Sequence, residues 1–359
     1  MPFFLQFEPK TKVFDKKLKP NGLQNKAFNA KIIVSYFQEL FMDNPILWIL
    51  LGIAVFIGLL VLGISYYCFY RIFYSDRKKQ KQEEYPLPPE EVYIPYHARM
   101  IEWIKQTRAI PHKEVEITTF DGLTLRGKYY EYAPNAPIEL MLHGYRGECE
   151  RDLAAGVLRA FEHGKSVLLF DHRASGKSDG SVITFGINES RDCKLWIDYI
   201  LTHINPNAKI ILTGISMGAA TVLICASQEL PKNVIGVLAD CGFTSAKDII
   251  QKVMQDMGFS PKLFYPFAKL GARLFGKFDV DEFSAIESMK NCRLPVLFIH
   301  GDEDYYVPFD MSRQNYEACA SENKKLVFIK GAGHGLAYPK DPKAYLDALK
   351  EFFNPLLEE

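Results

Sequence analysis

The chain has 359 residues, 48% of them hydrophobic, which is enough for one large α/β domain plus an appendage and too apolar for a disordered chain. Its 43 basic and 43 acidic residues cancel, which excludes the global positive field that gathers nucleic acid. Seven cysteines, Cys68, Cys149, Cys193, Cys225, Cys241, Cys292 and Cys319, form no CxxC pair and no Cys/His ligand spacing, so they read as unpaired thiols of a reducing compartment rather than a zinc module.

Residues 1–44 form a basic, amphipathic segment. Phe28, Ile32, Tyr36 and Leu40 recur at i, i+4 with Ile33, Phe37 and Phe41 beside them, which predicts a helix that suits either a membrane surface or the flank of a domain. Residues 45–70 carry no charge and are long enough to cross a bilayer core of ~30 Å. Trp48 near one end and Tyr66, Tyr67 and Tyr70 near the other suit the two interfaces. The run starts too late and is too long for a cleaved signal peptide, so a single-pass transmembrane helix is expected. Arg71, Arg77, Lys78, Lys79 and Lys81 follow it, against Lys26 and Lys31 just before, which directs the C-terminal domain to the cytoplasm. Residues 71–90 read as a polar, proline-bearing linker and 91–355 as the folded domain.

Within that domain the chain alternates regularly. Two β-rich runs in "EVEITTFDGLTLRGKYY" meet at Asp121-Gly122, a hairpin signal. Short apolar runs then alternate with helical stretches: "IELMLHG", "KSVLLFD", "KIILTGIS", "NVIGVLAD", "PVLFIHG" and "KKLVFIK". Such runs are what a parallel sheet buried on both faces requires. The expected architecture is an eight-stranded, mostly parallel α/β sheet with helices on both faces and a small helical cap over about 245–290.

The segment "LTGISMGAAT" sets one serine between two glycines at a strand-to-helix junction. A turn this sharp needs Gly214 and Gly218 where a Cβ would clash, and raises Ser216 beside a helix N-terminus that favours developing negative charge. A nucleophilic serine needs a base, and the base an orienting acid. His334 in "KGAGHGLAYP" and Asp304 in "HGDEDYYVP" both follow strands, in the order Ser216, Asp304, His334. Asp302 and Asp240 are rival acids; Asp304 stands further into its loop, and Asp240 is expected to bond backbone and fix its own loop. The oxyanion needs two backbone donors, for which Met217 and Tyr145 are the candidates. His143 shapes the Tyr145 turn or fills space there, and Arg146 is either a surface charge or a contact for a polar substrate group.

The motifs "HGYRG", "FDHRASGKSDG", "GISMG", "HGDEDYYVP" and "GAGHG" resemble those of the α/β-hydrolase superfamily, near its serine-aminopeptidase, monoacylglycerol-lipase-like and prolyl-oligopeptidase-like branches, over about residues 90–355. The resemblance implies Ser216 as nucleophile, His334 as base, Asp304 as acid and Tyr145 and Met217 as oxyanion donors, working without metal or organic cofactor. "SGKSDG" is not the end of a phosphate-binding loop, because Asp171 stands where the first glycine is required. The cap segment has an apolar face of Phe259, Leu263, Phe264, Phe267, Leu270, Leu274 and Phe275 beside Lys262, Lys269, Arg273 and Lys277. That face is expected to pack down on the domain; the sharper alternative lets part of it line an acyl pocket. The leading functional reading is a membrane-anchored serine hydrolase of carboxylic, including lipid-like, esters. A serine peptidase with the same triad, an acyltransferase and a non-catalytic membrane-bound scaffold are the alternatives.

Overall fold

The computed structural model describes residues 34–35, 45–76 and 84–358, and the chain divides into two units, one up to Val61 and one from Leu62. The amphipathic segment expected over 28–41 lies outside the described residues except for Val34 and Ser35, which are helical. Helix α1 (Pro45–Ile72) is, among the described residues, the one helix long and apolar enough to cross a membrane. Its side chains up to Val61 are almost all exposed.

From Leu62 onward the chain builds an eight-stranded sheet: β1 (Lys113–Thr118), β2 (Thr124–Tyr130), β3 (Ile138–Leu142), β4 (Ser166–Phe170), β5 (Ile210–Ile215), β6 (Val234–Asp240), β7 (Val296–Gly301) and β8 (Lys324–Ile329). Their order is β1-β2-β4-β3-β5-β6-β7-β8. The β1/β2 and β2/β4 pairs are antiparallel and the rest parallel. Gly122, at φ 83°, makes the hairpin turn, and the Thr119 hydroxyl donates to Asp121 across it at 2.6 Å. Every residue of β3, β4 and β7 is buried, as a sheet covered on both faces demands. Glu139 on β3, the one carboxylate in these three strands, meets Arg159 of α3 (Cys149–Glu162) at 2.6 Å and Lys165 at 3.6 Å, so its charge is compensated where it is buried.

The remaining helices are α2 (His97–Ala109), α4 (Ile187–Tyr199), α5 (Met217–Ala226), α6 (Ala246–Asp256), α7 (Pro261–Gly271), α8 (Ala285–Met289), α9 (Phe309–Ala318), α10 (Ala337–Lys340) and α11 (Pro342–Glu358). Helices α6, α7 and α8 all fall between β6 and β7, and Ser245 caps α6 by accepting from Asp248 N at 3.0 Å. The expected downward packing of the cap's apolar face holds only for part of it. Phe264, Phe267 and Leu270 are half-buried, but Phe259, Leu263 and Leu274 are exposed. The cause is that Ile249, Ile250 and Met254 of α6 already cover the domain beneath, so α7 buries its other side through Tyr265, Ala268 and Gly271.

The domain also reaches further toward the N-terminus than residue 91. Phe73 is fully buried, edge-on to Phe185 and Phe278 at 5.7 and 5.3 Å. Tyr74 bridges Val182, and Ser75 N donates to Ser181 O at 2.9 Å. The start of the expected linker is therefore folded in, because Phe73 buries apolar area that a solvated tether would expose.

Candidate active site

At the end of β5 the chain turns into α5 through Gly214, Ile215, Ser216, Met217 and Gly218. A Cβ at Gly214 would overlap the Gly218 carbonyl, and one at Gly218 the Leu142 carbonyl, so both positions require glycine for space alone. Ser216 sits at φ 56°, ψ −115°, a conformation that costs a non-glycine residue ~1–3 kcal/mol. Two backbone bonds hold it there: Ser216 N donates to Asp240 O at 2.8 Å, and Ser216 O accepts from Ala220 N at 3.1 Å.

Loops after β7 and β8 bring the other two groups to this edge. His334 Nε2 lies 2.9 Å from Ser216 Oγ, and its Nδ1 lies 2.7 Å from Asp304 Oδ2. Asp304 is fixed from all sides. Its Oδ1 accepts from Tyr306 N and Val307 N, each at 2.9 Å, and its Oδ2 from His300 Nε2 at 3.0 Å. Burial alone would raise this carboxyl, but the bonds from His300 and His334 hold it well below the usual carboxylate range. His300, fully buried on β7, carries its other nitrogen 2.7 Å from Ser312 Oγ. Sequence reasoning missed His300, since a histidine inside an apolar strand carries no local signature. Asp302, the first rival acid, accepts from Gly331 N at 2.6 Å and braces the His334 loop instead.

Asp240 departs from expectation. Its carboxylate makes no backbone bond among the described residues; Oδ2 accepts from the Tyr345 hydroxyl at 3.0 Å, and Oδ1 is buried without a partner. The reason is position: Asp240 ends a buried strand and points at α11, 105 residues on in sequence. Burial pushes it up to about 6, although Tyr345, His300 and His334 each pull it down.

The turn after β3 faces Ser216. His143 Nδ1 lies 2.8 Å from Gly144 O, and its Nε2 accepts from His172 N at 2.9 Å, which assigns the proton to Nδ1. Burial lowers the His143 imidazole and keeps it neutral in that role. Asp152 Oδ2 accepts from Gly144 N at 3.3 Å and is itself held by Arg151 Nε at 2.6 Å, a brace that was not foreseen. The backbone N–H groups of Tyr145 and Met217 make no hydrogen bond among the described residues. The Tyr145 hydroxyl donates to Ile72 O at 2.6 Å, and Arg146 donates to Arg71 O at 2.8 Å and Tyr74 O at 3.1 Å. Arg146 is thus no idle surface charge: it grips the chain where α1 ends and lies in the lining of the cavity over Ser216.

A cavity of about 750 Å³ opens over Ser216. Its apolar lining includes Ile64, Tyr67 and Ile72 of α1 and Ile250, Val253, Met254 and Phe264 of the cap, and its polar lining includes Glu90, Arg151, Asp152 and Asp240. Among the described residues, three potential metal ligands come together here, Cys241, Asp304 and His334, within 4.8 Å of one another, and two of the three are already bonded to each other.

A family model for the alpha/beta hydrolase fold matches residues 140–275, and the serine aminopeptidase (S33) model matches 283–341. The chain is 27% identical over 192 residues to the uncharacterized protein YqkD of Bacillus subtilis, of which the match spans 63%. It is 24% identical over 251 residues to an uncharacterized membrane protein of Saccharomyces cerevisiae, covering 68% of this chain and 81% of that one. Among solved structures it is similar to an esterase of Pyrococcus furiosus (25% identity, TM-score 0.58, 70% of this chain and 94% of that one). Est1E of Butyrivibrio proteoclasticus shares the fold at 19% identity (TM-score 0.54, 68% of this chain and 99% of that one). With its eight-stranded sheet, its serine on a strained strand-to-helix turn and these two family matches, the chain has the α/β-hydrolase fold.

Proposed function

We propose that this chain is a membrane-anchored serine hydrolase that cleaves carboxylic esters through an acyl-enzyme. The observation that carries the reading is the unbroken relay from Ser216 Oγ to His334 Nε2 at 2.9 Å and from His334 Nδ1 to Asp304 Oδ2 at 2.7 Å. Ser216 attacks the substrate carbonyl as His334 takes its proton; Asp304 holds the ring and stabilises the imidazolium. The N–H groups of Met217 and Tyr145 receive the oxyanion, at the N-terminus of α5. His334 then gives its proton to the departing alcohol. Water, activated by the same imidazole, releases the acid and restores Ser216. An ester is favoured over a peptide because the apolar lining of the cavity suits an acyl chain. The flanking charge puts the catalytic domain on the cytoplasmic side, which protease protection on intact cells tests.

The full chain in detergent micelles, assayed on p-nitrophenyl esters of two to sixteen carbons and on aminoacyl p-nitroanilides, tests the proposal. Ester turnover by the wild type, with a loss of about 10⁴-fold or more in Ser216→Ala, is the expected result. Turnover of anilides alone would favour the peptidase. No turnover, together with no labelling of Ser216 by a fluorophosphonate, would leave a scaffold.

A further inference from the structure

The cap carries a band of uncovered apolar side chains: Val253, Met257, Phe259, Leu263, Leu274 and Phe275 are all exposed. Surfaces of this kind mark a contact with another apolar body. Leu263, Phe267, Leu270 and Leu274 run at i, i+4, i+7 and i+11, one stripe along α7 and the turn that continues it. Lys262 borders that stripe together with two ion pairs, Lys269 with Asp281 and Arg273 with Asp279, so its margin is polar and charged as an interface between headgroups and an apolar face requires.

The position of the band points to its occupant. Gly271 packs so closely on the Ser65 carbonyl of α1 that a Cβ would overlap it, and the Phe275 ring lies edge-on to Tyr66 at 5.2 Å and near Phe69 at 5.8 Å. The cap therefore rests on the last turns of the apolar helix. From Trp48 to Tyr67 an α-helix rises ~29 Å, about the thickness of a hydrocarbon core, so these aromatic residues mark the two interfaces. Phe275, against Tyr66, then stands at the level of one of them.

On the reading of α1 as a membrane anchor, we propose that the bilayer interface covers this face of the cap, making α7 and its flanking loops a second membrane contact. Val253, Met257 and Phe259 belong both to the exposed band and to the cavity wall. An acyl chain lying in the bilayer then reaches Ser216 along side chains already in lipid, without crossing water.

The test uses the full chain with Leu263→Cys, Phe259→Cys or, on the loop before β8 at the opposite edge of the sheet, Glu322→Cys. The seven native cysteines are all buried, so a nitroxide label goes to the added thiol. Each labelled protein is reconstituted in phosphatidylcholine vesicles at low protein-to-lipid ratio, floated on a density gradient and examined by power saturation against oxygen and a water-soluble nickel chelate. Labels at 263 and 259 are expected to favour oxygen severalfold over the chelate, and the label at 322 the reverse. Flotation with chelate-accessible labels at 263 and 259 would overturn the cap contact and leave the anchor standing. Strong dipolar broadening at 263 would give the face to a second copy of the chain and also overturn it. Failure to float would overturn the anchor and the cap contact together.

Discussion

At the sheet edge, every polar side-chain atom of Ser216, His334 and Asp304 has a partner within 3.0 Å, and the serine's backbone is held in a strained conformation by two further bonds. Across the cavity, the cap offers Val253, Met257 and Phe264, apolar side chains that touch by packing and are partly open to their surroundings, beside the buried Met254. Directional bonds fix reacting atoms to fractions of an ångström, whereas packed side chains of many shapes fill the same volume. The difference separates two kinds of dependence: the edge sets the rate and the cap sets which substrate is held.

Substitutions should break along that line. Asp304→Asn leaves the size of the residue but removes the charge that His334 needs, and kcat should fall about 10³- to 10⁴-fold with KM little changed, measured on a short ester. Asp152→Ala frees the Gly144 turn from its brace and should lower kcat about 10- to 100-fold, with KM again nearly constant. Equal losses from Asp152→Ala in the KM of all substrates would instead make Asp152 part of the binding wall. Phe264→Ala, on the cap, should raise KM for a dodecanoyl ester about tenfold and leave the acetyl ester unchanged, since removing a buried ring face forfeits a kilocalorie or two of apolar contact.

The smallest effect on activity, and the sharpest on pH, belongs to Asp240. Its carboxyl is raised from 3.8 to about 6 in the fold, so the folded state binds the proton more tightly. The stability this supplies is complete below the unfolded value and is lost as pH rises through about 6. Asp240→Asn removes the titration. Its melting temperature should be nearly equal at pH 4.5 and 7.5 as far as this group decides, whereas the wild type carries a penalty at the higher pH of at most about 3 kcal/mol. Thermal unfolding in detergent at the two pH values measures it, and an unchanged pH dependence in the variant would remove Asp240 as its source.

The sheet was legible because each buried strand needs a short apolar run, and all six parallel-sheet runs and the Asp121-Gly122 turn stand out against polar surroundings. The serine, histidine and aspartate were legible because each sits in a glycine-bracketed or strand-end motif. His300, Asp152 and the Tyr345–Asp240 contact were not, since their partners come from distant parts of the chain or from backbone atoms that leave no mark on residue type. The linker was misjudged at its start for a related reason: the buried part of Arg71–Asp76 is decided by Phe185 and Phe278, more than a hundred residues away.

The bonds from Tyr145 and Arg146 to the carbonyls of Arg71, Ile72 and Tyr74 bear on how inhibitors should be sought. A water-soluble fragment cut after residue 84 would lose one side of the cavity and, with it, the hydroxyl contact that steadies the residue proposed to receive the oxyanion. Compounds selected against such a fragment would be fitted to a wider, looser site than the one the whole protein presents. Screening on the intact chain in lipid nanodiscs keeps the target whole.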